Sequence, residues 1–182
     1  MKNLKFICSV LVSCSLFMVK AQAPQIDWEK NYGGSQFDGF FDMIPTTDGG
    51  YLISGFSYSN NGDVDVSYGG GDIWLLKTDV SGAIQWQKTF GGSGYDIAEK
   101  ILQTTDGGYI LAGTTDSSDG DVANNYGQTD VWIIKINASG DLQWEKNYGG
   151  QSNESARNIL ATPDGGYLII ADTDSADNDV SV

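Results

Sequence analysis

Asp38, Asp96 and Glu154 stand 58 residues apart, each just after a G-G-S or G-G-Q run, and Asp72 and Asp130 recur at the same interval. Carboxylates do acid–base work, as in a glycosidase, when two of them face one bond from different elements and in unlike surroundings. The chain has no His, which excludes Ser-His-Asp and Cys-His sites and the usual zinc ligand sets. Carboxylate chemistry is what remains. Recurrence argues against it here, because a residue present in every repeat fills an equivalent place in each. An Asp in such a place is expected to accept backbone N–H bonds in a turn. No residue is assigned a catalytic role.

A second group of acids lies in polar loops: Asn61, Asp63 and Asp65, then Asp116, Asp119 and Asp121, then Asp174, Asp177 and Asp179. Oxygen ligands at alternate positions beside a Gly suit a hard cation such as Ca²⁺, which takes six to eight oxygens. Asp63, Asp65, Asp116, Asp119, Asp121, Asp177 and Asp179 are therefore the candidate calcium ligands, and calcium is the one cofactor the sequence suggests. The complete D-x-D-x-D-G-x₅-E loop is absent, and the competing expectation is a solvated Asx turn.

Aromatic side chains stack sugars or partner chains when exposed. Trp74 and Trp132 sit inside apolar runs and are expected in the core. Trp28, Trp86 and Trp144 alternate with charged or amide neighbours, which predicts rings on the inner face between repeats. Tyr58, Tyr68 and Tyr126 fall in loops and are the candidate surface aromatics. The pairs Gly33-Gly34, Gly91-Gly92 and Gly149-Gly150 precede predicted strands, not helices, so they are not phosphate loops.

The elements that must position these residues form a repeat. Trp28, Trp86 and Trp144 share the 58-residue spacing, as do Asp48, Asp106 and Asp164. The chain reads W-E-K-N-Y-G-G, W-Q-K-T-F-G-G and W-E-K-N-Y-G-G, then T-T-D-G-G-Y-L-I, T-T-D-G-G-Y-I-L and T-P-D-G-G-Y-L-I. Each Asp-Gly between β-prone runs predicts a hairpin. Four strands are expected per repeat: 40–46, 51–56, 73–78 and 84–90 in the first, 99–105, 109–115, 131–137 and 142–148 in the second. A lone fourth strand is expected at 26–32. I-W-L-L and V-W-I-I are apolar on both faces, as in a sheet covered on both sides. This predicts an all-β chain of four-stranded antiparallel propeller blades, with an open β-repeat array or solenoid as the alternative. About 2.7 blades do not close a ring, so the sequence predicts a fragment of a longer protein or a self-associating protomer.

Residues 1–21 read as a signal peptide, with Lys2 and Lys5 before an apolar run from Phe6 to Val19, and 22–182 as the repeat region. A competing reading takes Leu11-Val12-Ser13-Cys14 as a lipobox that makes Cys14 a lipid anchor, although Ser15 to Val19 stay apolar beyond it. Cleavage after Ala21 would remove both cysteines and three lysines, leaving 7 basic against 24 acidic residues, a charge of −17. Such a surface repels nucleic acid. No later run is long and apolar enough to predict a transmembrane segment. The expected location is outside the cell or on its outer surface.

The blocks W-x-K-x-x-G-G-S-x-x-D, T-x-D-G-G-Y-I-L-A-G-T-T-x-S-x-D-G-D-V and D-x-W-I-I-K-x-x-x-x-G-x-x-Q-W, spread over residues 26–182, resemble the repeat of large secreted bacterial proteins. The resemblance implies β-propellers, often exported by the type IX route, commonly with a C-terminal sorting domain that is not seen here. Lys77 to Trp86, K-T-D-V-S-G-A-I-Q-W, is more weakly similar to quinoprotein-type propeller blades, which speaks to architecture. The Q-x-D-x-N-x-V-x-Y signature of bulb-type lectins is absent.

These readings predict a non-catalytic secreted or cell-surface scaffold that binds extracellular proteins or glycans, with calcium-ordered loops. The alternative is a fragment of an extracellular propeller enzyme, either a carboxylate-based hydrolase or a quinoprotein-like oxidoreductase. An enzyme should break its own repeat symmetry around one pocket. The departures Arg157 for Glu99, Ala171 for Gly55 and Gly113, and Asn178 for Gly62 and Gly120 read as drift.

Overall fold

The computed structural model describes residues 25–179, so residues 1–21, read from the sequence as a signal peptide, lie outside the described residues, Cys8 and Cys14 among them. Among these the chain is all-β and has no helix, and hence none long and apolar enough to cross a membrane. Ten strands follow in order: β1 (Asp38–Pro45), β2 (Tyr51–Ser57), β3 (Asp72–Thr78), β4 (Ile84–Phe90), β5 (Asp96–Gln103), β6 (Tyr109–Thr115), β7 (Asp130–Ile136), β8 (Leu142–Tyr148), β9 (Glu154–Ala161) and β10 (Tyr167–Thr173). They form three antiparallel sheets, β1-β2-β3-β4, β5-β6-β7-β8 and β9-β10, none of them closed.

The D-G-G turns act as the dipeptide predicts. Gly49, Gly107 and Gly165 hold φ of 88°, 82° and 88°, where a Cβ would be strained. The Asp before each accepts from the Thr two residues back, Thr46 Oγ1 to Asp48 at 2.5 Å, and from the following Gly50 N–H at 3.2 Å.

Stacking of the sheets explains the doubly apolar strands. On one face, Tyr109 and Leu111 of β6 and Trp132 and Ile134 of β7 join Leu52, Ile73, Leu75 and Phe90 of the first sheet. On the other face, Ile110, Ala112, Val131 and Ile133 meet Ala156 and Ile159 of the third. Alternate side chains thus fill two separate cores, each fully buried Leu, Ile or Val contributing about 1.5–3 kcal/mol. Trp74 and Trp132 are 0 % exposed, as expected of core residues.

Three expectations need correction. Residues 26–32 are not a strand. The letters match β4 and β8, but the segment has no sheet partner among the described residues, and a strand's hydrogen bonds must come from a neighbour. It nevertheless lies on the first sheet as β4 lies on the second: Trp28 meets Tyr51 at 6.1 Å and Trp86 meets Tyr109 at 6.4 Å, both edge-on. Next, the first strand of each repeat starts earlier than predicted, at Asp38 and Asp96, because each pairs in register with the far end of its hairpin partner. Finally, each of these strands carries a β-bulge, leaving Phe41, Glu99 and Arg157 as the extra residues.

Candidate functional site

The recurrent carboxylates bind their own loops. Asp96 accepts the Gly92 N–H at 2.9 Å and the Ser117 hydroxyl at 2.8 Å on Oδ2, and the Thr115 hydroxyl on Oδ1. Asp38 does the same with Gly34, Ser59 and Ser57, and Glu154 with Gly150 and Thr173. The turn role predicted for these three residues is what the geometry displays.

Two more acids from the preceding repeat meet this arrangement. Asp72 and Asp130 are fully buried at the starts of β3 and β7. Asp72 Oδ2 accepts the Tyr68 N–H at 2.8 Å, while its Oδ1 has no hydrogen-bond partner and lies against Gly91. Asp130 Oδ1 is placed in the same way against Gly149. Desolvation raises the pKa of Asp72, Asp96 and Asp130, and neighbouring acids add to it, Asp121 and Asp72 in the first two cases. Among the described residues Asp38 has no such partner before it. Burial alone would raise its pKa, but the bonds from Gly34, Ser57 and Ser59 outweigh burial and lower it.

The loop carboxylates named as calcium ligands also face the G-G loops. Asp63 and Asp121 accept from Gly33 and Gly91 N–H at 3.0 and 3.3 Å, Asp119 from Ser93 at 2.7 Å, Asp177 from Gln151 at 3.0 Å, and Asp116 from Tyr95. The Asp179 N–H donates to the Gly149 carbonyl at 3.4 Å. Asp65 lines a shallow groove with Tyr68 and Lys88. Among the described residues no three acidic side chains are arranged to hold a metal ion together. Asn178 takes φ of 55° at the place of Gly62 and Gly120, so this departure is a conformational match, since Asn tolerates the left-handed region.

A buried lysine ties the repeats internally. Lys77 Nζ, inside the apolar third strand, reaches Asp48 Oδ2 at 2.8 Å, Gln85 at 2.8 Å and the Thr78 carbonyl at 3.1 Å. Lys135 repeats this with Asp106, Gln143 and Ile136. The lysine bond holds Asp48 down to about 2, and Asp106 is lowered first by its Thr104 bond and then by Lys135.

The residues that break the repeat form a different surface, and the spacing argument missed it. Phe37, Phe40 and Phe41 of the first repeat stand where the second has Tyr95, Ala98 and Glu99. Phe40 stacks on Trp74 at 5.2 Å, while Phe37 and Phe41 pack on Phe56 at 5.5 and 5.6 Å. Phe37 keeps 70 % exposure, and Met43 is 57 % exposed where its equivalents Ile101 and Ile159 are 1 %. An open groove of about 480 Å³ runs beside Phe40 and Met43, with Trp28, Tyr32 and Phe41 as walls and Lys30 and Asp42 at its polar edge. Arg157, at the same bulge position, reaches Glu99 at 3.7 Å and Asp172 at 2.7 Å, so this departure is an ion pair across a repeat junction and not drift. The signal for the groove was available in the aromatic substitutions of the first repeat.

The buried acids make stability depend on pH with a definite sign. Asp72, Asp96 and Asp130 have folded pKa values raised by desolvation, so their contribution is full below the unfolded value and lost as pH rises through the folded one. Asp48, lowered to about 2, contributes above the ordinary Asp value and loses this as pH falls through about 2. Thermal melts followed by circular dichroism should show the melting temperature rising as pH falls from neutrality toward the ordinary Asp value of about 4, then dropping as pH falls on through about 2. A profile with no rise on acidification to about 4 would contradict the burial of these charges.

No protein-family model matches the chain, and no curated protein matches it either.

Proposed function

We propose that this chain is a non-catalytic, propeller-type repeat scaffold, secreted or displayed at the outer cell surface, that binds an extracellular protein or glycan through the aromatic groove of its first repeat. The observation that carries this reading is the break in repeat symmetry at Phe40 and Phe41, which line the groove. The rings of Phe40 and Phe41 are gathered beside Trp28 and Tyr32 with Lys30 and Asp42 at the edge. Exposed rings with adjacent polar groups suit the apolar face of a sugar or an aromatic anchor of a partner. The recurrent carboxylates support the non-catalytic part, because their hydrogen bonds go to their own loops in every repeat.

Calcium enters this reading as a ligand of loop carboxylate oxygens that hold no amide, such as the second oxygens of Asp119 and Asp177. Melts in millimolar calcium and in chelator are compared in the same samples, and coincident curves remove calcium from the reading.

The groove is tested by screening the chain on a glycan array and against extracellular protein extracts, then repeating each hit with Phe40→Ser and Phe41→Ser. Affinity should fall about tenfold or more per ring, with the melting temperature held within about 3 °C. Hits that bind both variants as tightly as the parent place the ligand elsewhere.

A further inference from the structure

One side-chain amide ties the hairpin turns of the first two repeats together. Gln103, the last residue of β5, accepts the Thr47 N–H on Oε1 at 3.0 Å and donates from Nε2 to the Thr47 hydroxyl at 3.2 Å. In the third repeat its place is taken by Ala161. The backbone around it is kept: Gln103 stands opposite Tyr109, and Ala161 opposite Tyr167. Thr105, the counterpart of Thr47, is held in the same turn, with the Thr104 N–H on the Gly108 carbonyl at 2.9 Å as the Thr46 N–H is on that of Gly50. Ala161 has no amide to offer Thr105.

A cavity of about 180 Å³ lies at this place, with Thr105 and Ala161 both in its wall. Leu102 and Tyr167 form its apolar side, and both pack on the core shared by the second and third sheets. The cavity thus sits between two described sheets and has its origin in one replaced side chain. Its volume is well below the roughly 300–1,000 Å³ of sites that enclose a whole small molecule, so it takes one substituent. The chemistry of that substituent follows from Gln103. A primary carboxamide presents C=O and N–H on one edge, and so meets a backbone N–H and a hydroxyl together. A secondary amide is trans and turns the two groups to opposite sides. A carboxylate can accept from both, but a chain of formal charge −14 repels it. In proteins, a primary carboxamide on a short apolar stem is the side chain of glutamine.

We propose that this cavity is a binding site for the side-chain carboxamide of a glutamine presented by a partner protein. Its oxygen accepts the Thr105 N–H and its nitrogen donates to the Thr105 hydroxyl, as Gln103 does on Thr47, with its methylenes against Leu102 and Tyr167. The site lies between the second and third repeats and shares no residue with the aromatic groove of the first.

The test titrates glutamine, blocked by an N-acetyl and an N-methylamide group, into the isotope-labelled full chain and follows the Thr105 and Tyr167 amides by NMR. The proposal expects saturable shifts with a Kd on the order of 1–10 mM. Glutamate and methionine blocked in the same way lack the carboxamide and should bind at least about tenfold more weakly. Two variants remove the site by different routes. Ala161→Gln fills the cavity with the chain's own amide, restoring the contact of the first junction. Thr105→Pro removes the N–H at a turn position where the third repeat itself carries Pro163, with the Thr162 N–H still on the Gly166 carbonyl at 2.9 Å. Each should weaken the binding of blocked glutamine about tenfold or more. Absence of shifts up to about 50 mM, equal binding of blocked methionine, or undiminished binding by the Ala161→Gln variant each overturns it. N-acetylglucosamine, a secondary amide, bound as tightly as blocked glutamine also overturns it, by assigning the cavity to a sugar.

Discussion

Asp96→Ala is expected to destabilise the folded chain by about 2–4 kcal/mol, measured by urea unfolding with an unchanged denaturant slope. The carboxylate is fully buried and accepts three bonds, from the Gly92 amide and from the hydroxyls of Ser117 and Thr115. Each hydrogen bond to a charged group contributes about 1.5–3 kcal/mol, and the donors left behind are buried too. Against this stands relief from burying a charge next to Asp72, which offsets part of the loss but not three bonds. The same change at Asp38 should cost less, because that side chain is only half-buried, and this outweighs the absence of any repulsion to relieve there. If Asp96→Ala were neutral while Asp38→Ala was costly, junction burial would not be what gives these acids their weight.

The repeat, its D-G-G hairpins and the burial of Trp74 and Trp132 were readable from spacing because each is a local pattern: a turn dipeptide, an alternation, an apolar run. Asp72 meeting Asp96 was not, since that contact arises only when one sheet stacks on the next, and spacing within a repeat carries no information about stacking. The bond between Lys77 and Asp48 sits between these cases. Both recur at the repeat period, 29 residues apart, and a lysine inside an apolar strand must find an acid. The segment 26–32 misled because its letters are those of β4, while a strand is defined by a neighbour, and it has none among the described residues. For the candidate site, recurrence pointed to a turn role for the repeated acids, and their bonds to their own loops display that role. The rings of Phe37, Phe40 and Phe41 went unread because departures from the repeat were sought in the third repeat, and the site's residues differ in the first.

Gly91→Ala tests whether the junction is a steric clamp, and it is expected to cost about 2–4 kcal/mol. Gly91 has no positive φ, so its identity is not a matter of backbone conformation. A Cβ there would sit 2.5 Å from Asp72 Oδ1 and 2.6 Å from Asp96 Oδ2, well inside contact distance. Neither oxygen can retreat cheaply: Asp72 is anchored to the Tyr68 amide and the Ser67 hydroxyl, and Asp96 to Gly92, Ser117 and Thr115. Gly107→Ala is the contrasting control, since it has positive φ with nothing within 4 Å, and backbone strain alone should cost about 1 kcal/mol. A double-mutant cycle separates the two mechanisms. Shortening the neighbour with Asp72→Ala opens the space a Cβ needs, so Gly91→Ala should cost at least about 1 kcal/mol less in that background than in the parent. Strict additivity would mean that the two side chains do not compete for one space. Gly91 would then owe its identity to something other than the carboxylates of two adjacent repeats closing on it.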